Sequence, residues 1–116
     1  MNTLPDFDEI NNNHLILSLN NALLCEIRPN MRRISFEYLK DQKKILLYFF
    51  YDTPPTQDDL DYDVEGTIIA EMGAFFPDEM QIEEKSVVLP YPQRLPNSGT
   101  GVYRRYEPPL PEDMVK

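Results

Sequence analysis

This chain of 116 residues has one cysteine and one histidine, so it has few groups able to bind soft metal ions or form disulfides. It has no tryptophan. Cys25 has no second cysteine to pair with, so nothing in the sequence indicates an oxidising compartment. His14 and Cys25 both fall on the first predicted helix, about 16 Å apart at a rise of about 1.5 Å per residue, which is too far for a shared ion. We therefore expect no metal and no cofactor, with His14 exposed and Cys25 buried as a small apolar side chain.

Long hydrophobic runs are also missing. The longest apolar stretch, ILLYFFY at residues 45–51, is far shorter than the ~20 residues that a membrane-spanning helix needs. The N-terminal segment MNTLPDFDEINNNH is acidic and polar, and it lacks the positive start and the apolar run of a signal peptide. The sequence thus predicts a soluble, cytoplasmic protein with no membrane partner.

Positive charge is missing from the middle of the chain. The whole sequence has 20 Asp and Glu against 11 Lys and Arg, a net charge of -9, and residues 45–84 contain eleven acids with no Lys or Arg. Such a charge distribution repels nucleic acid and attracts a cationic partner. Direct binding of nucleic acid is therefore not expected. Solubility alone is the competing explanation for the acids.

The sequence patterns that mark common active sites are not found in this chain. It has no nucleophile elbow of the G-x-S-x-G type and no glycine-rich phosphate loop. The acids near residue 60 do not match a calcium loop, because Gly66 comes too late and no bidentate acid follows it. Paired carboxylates can hydrolyse glycosides only inside a cleft, whereas these acids are expected on a convex helix face. We predict that the protein is not an enzyme.

Hydrophobic periodicity divides the first half of the chain into a helix and a hairpin. Apolar residues at helical spacing predict a first helix over about 13–25, which ends before the Arg28-Pro29 pair. Alternation of apolar and polar residues then predicts two strands between residues 31 and 52, joined by a polar turn at 40–44. The second of these strands is apolar on both faces, which indicates a central position in the sheet.

The second half repeats this order of helix and strands. An apolar stripe from Leu60 to Phe75 predicts a second helix over about 57–75, and residues 80–89 and 102–107 are expected to be strands, with a bulge in the first of them near 84–86. The fold class is therefore α+β in the order αββαββ. We expect a mainly antiparallel sheet of three or four strands with two helices on one face. The single domain 1–116 comprises an N-terminal arm at 1–12, a core at 13–107 and a C-terminal tail at 108–116.

Several segments together resemble a known class of proteins: LSLNNALL, RPNMRRISFEY, FFYDTPPTQDD, AFFPDE, PYP and YRRYE. They are similar to small immunity proteins of bacterial contact-dependent growth inhibition and related polymorphic-toxin systems, over about residues 15–107. The resemblance implies a non-catalytic inhibitor that binds a cognate toxin, often a nuclease. Because nuclease active sites are basic, an acidic inhibitor would associate quickly with such a toxin.

The candidate partner-binding surface is chosen from charge, since the resemblance transfers no interface residues. It comprises the acids of the second predicted helix, the acids that follow that helix, and one aromatic anchor: Asp58, Asp59, Asp61, Tyr62, Asp63, Glu65, Asp78, Glu79, Glu83 and Glu84. Tyr48 and Tyr51 would be further anchors if they were exposed. The alternative function is a non-catalytic accessory subunit or homodimeric binding module that uses the second apolar face of ILLYFFY.

Overall fold

The computed structural model describes residues 6–97 and 99–108. Residues 1–5 of the expected arm and 109–116 of the expected tail lie outside this range. The helices and strands of the described residues are α1 (Asn12–Ala22), β1 (Met31–Leu39), β2 (Lys44–Tyr51), α2 (Gln57–Tyr62), α3 (Val64–Gly73), β3 (Gln81–Val88) and β4 (Thr100–Arg104). The predicted order αββαββ is confirmed, with the second helix divided into α2 and α3.

The four strands form one sheet in the order β3-β2-β1-β4. Strands β1 and β2 are an antiparallel hairpin, and β4 pairs antiparallel with the other edge of β1. Strand β3 pairs parallel with β2, because the chain between them crosses over through α2 and α3 instead of turning back directly. The α+β fold and the central position of β2 are as predicted, and the one parallel pair is the exception in a mainly antiparallel sheet.

The hydrophobic core lies between one face of the sheet and helices α1 and α3. Alternate residues of β1 and β2 point to this face, while each helix contributes residues at helical spacing. The fully buried apolar side chains from these four elements are Leu15, Leu19, Ala22, Met31, Ile34, Phe36, Ile45, Leu47, Phe49, Ile68 and Met72. Two helices packed on one face of the sheet are therefore confirmed.

The opposite face of the sheet is partly covered by the proline-rich loop between β3 and β4. Leu95 in this loop is buried, and the next carbonyl, that of Pro96, accepts a hydrogen bond of 2.6 Å from the Arg33 guanidinium. Phe50, which pairs with Arg33 across β1 and β2, is only 3% exposed. Tyr48 stacks on Phe50 with 6.3 Å between ring centroids and is half-buried. Much of the second apolar face of β2 is thus covered within the monomer.

The predicted helix over 57–75 is broken at Asp63. This residue has the left-handed conformation, with φ 59° and ψ 61°, so it ends α2 and caps α3. Its side chain accepts a hydrogen bond from the Gly66 amide at 3.2 Å. A Cβ at Gly66 would lie 2.1 Å from the Asp63 carboxylate, so this capping geometry requires glycine there. The prediction of one continuous helix was wrong because the cap and the left-handed turn override a continuous apolar spacing.

Strand β3 is regular, and the predicted bulge near 84–86 was wrong. Every residue of β3 pairs in register with β2, from Gln81 opposite Lys44 to Val88 opposite Tyr51. The apparent change of phase has another cause: Glu84 and Ser86 lie on the helix-side face between Ile82 and Val88. This face of β3 is therefore polar at its middle, between two apolar residues, without any change in pairing.

The two residues considered as metal ligands lie at opposite ends of α1. His14 is exposed in the first turn, as predicted, and its Nδ1 accepts a hydrogen bond from the Asn11 amide as part of the helix cap. Cys25 lies in the turn after α1 with φ 65°, and its side chain is exposed. The prediction of a buried Cys25 was wrong because α1 ends at Ala22, before its apolar stripe reaches this residue.

Candidate functional site

A cavity of about 360 Å³ lies between the α2–α3 junction and strand β3. The lining of this cavity combines apolar side chains with four carboxylates and a single arginine. The lining residues are Arg28, Met31, Tyr51, Pro55, Asp59, Leu60, Asp63, Val64, Glu65, Glu84 and Ser86. We call this site the acidic cavity. Four of the ten residues predicted from charge contribute to it: Asp59, Asp63, Glu65 and Glu84.

Glu65 is held in place by two hydroxyl groups. The hydroxyl of Tyr51 donates a hydrogen bond to Glu65 Oε2, and Ser86 Oγ lies 2.7 and 2.8 Å from the two carboxylate oxygens. Burial, followed by the hydrogen bond to Glu65, raises the pKa of Tyr51 well above its ordinary value, so its hydroxyl remains a donor. Tyr51 is buried and so is not an exposed anchor. It positions Glu65 instead.

Glu84 is exposed and lines the cavity together with Glu65. Hydrogen bonding to Glu65 is the largest cause, ahead of burial and the negative charges of Glu65 and Asp63, that raises the pKa of Glu84 to about 7. Near pH 7 the Glu84 carboxyl is therefore only partly ionised, and its protonated form can donate a hydrogen bond to Glu65. Within the described residues, no Lys or Arg lies within 4.0 Å of either carboxyl group.

Helix α2 is attached to the fold through polar contacts, since none of its residues is buried. Arg28 Nε donates to Asp59 Oδ1 at 3.0 Å, and the Arg28 guanidinium lies 5.7 Å from the centroid of the Tyr62 ring. The Tyr62 hydroxyl donates to Oε1 of the buried Glu26 at 3.0 Å. Asp59 and Tyr62, both predicted as partner contacts, therefore also hold α2 in position.

The other predicted residues do not line the cavity. Asp58 and Asp61 are exposed on α2, and neither forms an ion pair within the described residues. Glu83 points to the opposite face of the sheet, where it pairs with Lys44 at 3.1 Å. Asp78 and Glu79 are exposed in the turn before β3, beside the start of β2, whereas α2 follows the end of β2. The ten predicted residues thus do not form one continuous patch.

A second group of charges, which we call the arginine cluster, joins β1, β2 and the segment after β4. Arg32 is 2% exposed and binds the Glu107 carboxylate through Nε at 2.6 Å and Nη2 at 2.9 Å. Arg105 donates to Asp52 at 3.2 Å and to Glu107 at 2.9 Å. The hydrogen bond from Arg32 is the main cause that lowers the pKa of Glu107, while the Tyr91 amide is the main cause that lowers the pKa of Asp52.

The Arg32 guanidinium also donates to the Leu89 carbonyl at 2.6 Å. This contact and the Tyr91 amide hydrogen bond to Asp52 fix the start of the proline-rich loop. The acids of the arginine cluster are therefore neutralised inside the fold. The arginines of this cluster form their ion pairs with Asp52 and Glu107, and within the described residues they form none with an acid of the acidic cavity.

Comparison with known proteins identifies the family. The MafI2 immunity protein family matches residues 12–107, which is most of the chain. The chain belongs to the MafI2 immunity protein family. No curated protein matches it. The predicted resemblance to immunity proteins of polymorphic-toxin systems is confirmed, and membership implies immunity against a cognate toxin.

The described part of this MafI2-family chain contains no helix long and apolar enough to cross a membrane. Within the same residues, no three His, Cys, Asp or Glu side chains converge as a metal site requires.

Sequence reasoning missed three residues that define the cavity of this MafI2-family chain. The sequence offers Tyr51 as a partner-binding anchor only if it is exposed, but it is buried at the end of a strand that is apolar on both faces. Ser86 gave no charge signal, yet its alternation with Glu84 on β3 places both on the face of Glu65. Arg28 was noted only for the proline after it. The Asp-x-x-Gly pattern at residues 63–66 was the available signal for the helix cap that brings Glu65 to the cavity.

Proposed function

We propose that this MafI2-family chain acts in the cytoplasm by binding its cognate toxin domain through the acidic side of the molecule, and that the toxin is a basic, nuclease-like protein. The chain acts by occupying the toxin, without catalysis of its own. The observation that carries the proposal is the set of acids around α2 and the acidic cavity that lack a counter-charge: Asp58, Asp61, Asp63, Glu65 and Glu84.

Charge complementarity supports this assignment. A net charge of -9 attracts a cationic protein at long range, and carboxylates without internal partners keep their charge available for contact. In the arginine cluster, by contrast, Asp52 and Glu107 already have arginine partners. The binding surface is therefore centred on α2 and the α2–α3 junction. Asp78, Glu79 and Glu83 contribute to the long-range field from the periphery.

The homodimeric module is less well supported. That function needs an open apolar sheet face, but Phe50 is already covered in the monomer and Leu46 and Tyr48 are half-buried. A stable interface commonly buries roughly 800 Å² on each partner, with an apolar centre. The open face offers little apolar area of that kind.

The test is neutralisation of the toxin domain encoded beside this gene. The purified toxin domain is assayed for degradation of DNA and RNA, with and without an equimolar amount of this chain. We expect degradation without the chain, loss of degradation with it, and a stable complex that dissociates more readily as salt is raised. A toxin that stays fully active with excess chain would overturn the proposal. Protection against a toxin that does not degrade nucleic acid would reject the nuclease assignment alone.

A further inference from the structure

The acidic cavity has the shape and chemistry of a socket for one side chain. Its volume of about 360 Å³ is at the small end of the roughly 300–1,000 Å³ typical of ligand sites. The wall formed by Met31, Pro55, Leu60 and Val64 can pack against methylene groups. The carboxyl groups of Glu65 and Glu84 belong to the same lining. An apolar stem that ends in a cationic head is complementary to both kinds of group.

The carboxyl pair is also preorganised for a cation. Tyr51 and Ser86 fix the Glu65 carboxylate before any partner arrives. Glu84 lines the same cavity and lies on the same face of β3 as Ser86. A bound cation can therefore contact both carboxyl groups. Arg28 also lines the cavity, but it cannot be the cation that binds Glu65 and Glu84 because its guanidinium is already paired with Asp59 at 3.0 Å.

We propose that the acidic cavity receives one arginine side chain of the cognate toxin, whose guanidinium binds Glu65 and Glu84 together. This inference rests on the proposed function, and it names the partner's chemistry. Arginine fits better than lysine because its planar fork of donors can bind two carboxylates at once, while an ammonium is a compact and strongly hydrated charge. Because the pKa of Glu84 is raised to about 7, a guanidinium that stabilises its ionised form should release a proton to solvent when the complex forms near pH 7.

The first experiment uses n-propylguanidinium as a probe, because it reproduces the arginine side chain. Carboxyl carbon signals of Glu65 and Glu84 are followed by NMR during titration at pH 7, with neutral n-propylurea as the matched control and n-butylammonium as the lysine mimic. We expect saturable shifts with n-propylguanidinium and a Glu84 titration midpoint that moves to lower pH. The response to n-butylammonium should be weaker, and n-propylurea should give none.

Variants localise the effect to the carboxyl pair. Glu84→Gln keeps a donor for Glu65 but cannot ionise, so it preserves the fold better than a change at Glu65, which also binds Tyr51 and Ser86. We expect Glu84→Gln to weaken probe binding about tenfold, the size of effect when one charge-assisted contact is lost. Glu79→Gln removes an exposed acid outside the cavity and should leave binding unchanged. Equal shifts with n-propylurea, or unaltered binding by Glu84→Gln, would overturn the proposal.

The second experiment measures proton release when the cognate toxin domain binds. Calorimetry at pH 7 in two buffers of different ionisation enthalpy gives the number of protons released. We expect release with the unaltered chain and its loss in Glu84→Gln. A complex that forms tightly, releases no proton and tolerates Glu84→Gln would reject the arginine socket while the proposed function stands. Failure of the toxin to bind at all would reject both.

Discussion

Tyr51 and Asp52 are neighbours in the chain, yet they belong to two regions that treat negative charge in opposite ways. Asp52 enters the arginine cluster, where each acid has an arginine partner and where the contacts fix a loop. Tyr51 lines the acidic cavity, where Glu65 and Glu84 form no ion pair with a Lys or Arg of the described residues. Paired acids stabilise a fold, whereas acids gathered without partners weaken it slightly and remain available for binding. Under the proposed function, the first region stabilises the fold and the second binds the toxin.

The largest effect is expected in the arginine cluster. Arg32→Met removes the buried partner of Glu107 and the donor to the Leu89 carbonyl. Because breaking a buried ion pair leaves an uncompensated charge, we expect the free energy of unfolding to fall by about 3 kcal/mol. Chemical denaturation measures the change. Arg94→Met, at an exposed arginine of the same loop, is the control and should change stability little. Equal losses in both variants would contradict a structural role for the cluster.

The next effect concerns association with the toxin. Reversing charge on α2 with Asp58→Lys and Asp61→Lys should slow association at low salt by about tenfold, with little change in folding stability, because neither acid has an ion-pair partner. Stopped-flow mixing measures the rate. The matched control reverses two exposed acids near the β1–β2 turn, Asp8→Lys and Asp41→Lys, which changes net charge equally. Equal slowing by both pairs would show that net charge matters and position does not.

A smaller effect is expected at the α2–α3 junction. Asp63→Ala removes the cap on Gly66 and places a residue that disfavours the left-handed conformation at φ 59°. We expect a loss of about 1 kcal/mol in the free energy of unfolding, measured by thermal and chemical denaturation. Asp63→Asn retains both a side-chain acceptor and tolerance of that conformation, so it should be nearly neutral. If both variants were equally destabilised, the charge and not the cap would be responsible.

The smallest effect is a difference in pH dependence between the two regions. The pKa of Glu84 is raised from 4.5 to about 7. Between these two pH values the folded chain binds more protons than the unfolded chain, so the stability that Glu84 contributes declines as pH rises from 4.5 to about 7. The pKa of Glu107 is lowered from 4.5, so its contribution is present above that value and is lost as pH falls through the folded pKa.

Glu84→Gln should therefore flatten the decline in stability between about pH 4.5 and 7 and leave the acid limb unaltered. Thermal denaturation from well below pH 4.5 to above pH 7 measures both limbs. A decline that persists in Glu84→Gln would assign it to another group. Arg32→Met should have the opposite effect: it should reduce the loss of stability at acid pH and leave the decline between pH 4.5 and 7 in place. The reason is that Glu107 loses the main cause of its lowered pKa.

Much of the fold followed from local pattern. The alternation in β1 and the doubly apolar β2 predicted a hairpin with a central second strand, and α1 followed from its apolar stripe. The parallel pairing of β3 could not be read from periodicity, which carries no information about strand partners. The helix break at Asp63 was hidden because Leu60 and Val64 keep helical spacing across it.

The candidate site was less predictable than the fold. Charge indicated Asp59, Asp63, Glu65 and Glu84, since acids without nearby bases can be counted in sequence. It could not separate them from Glu83, whose neighbour Lys44 comes from a distant segment. Nor could charge reveal a cavity, because concavity depends on the crossover that sets α3 beside β3. The role of Tyr51 likewise depends on tertiary contact with Glu65.

The parallel pairing of β3 with β2 has a consequence for when protection begins during synthesis. The acidic cavity is lined in part by residue 51, residues 63–65 and residues 84 and 86. During synthesis the cavity stays incomplete until residues 84–86 have left the ribosome and β3 has paired with β2. Partly made or proteolysed fragments can carry the same charge and still lack the socket. The protection of a cell therefore depends on how much of this chain is folded and full-length. A change that lowers the stability of the chain should lower this protection directly.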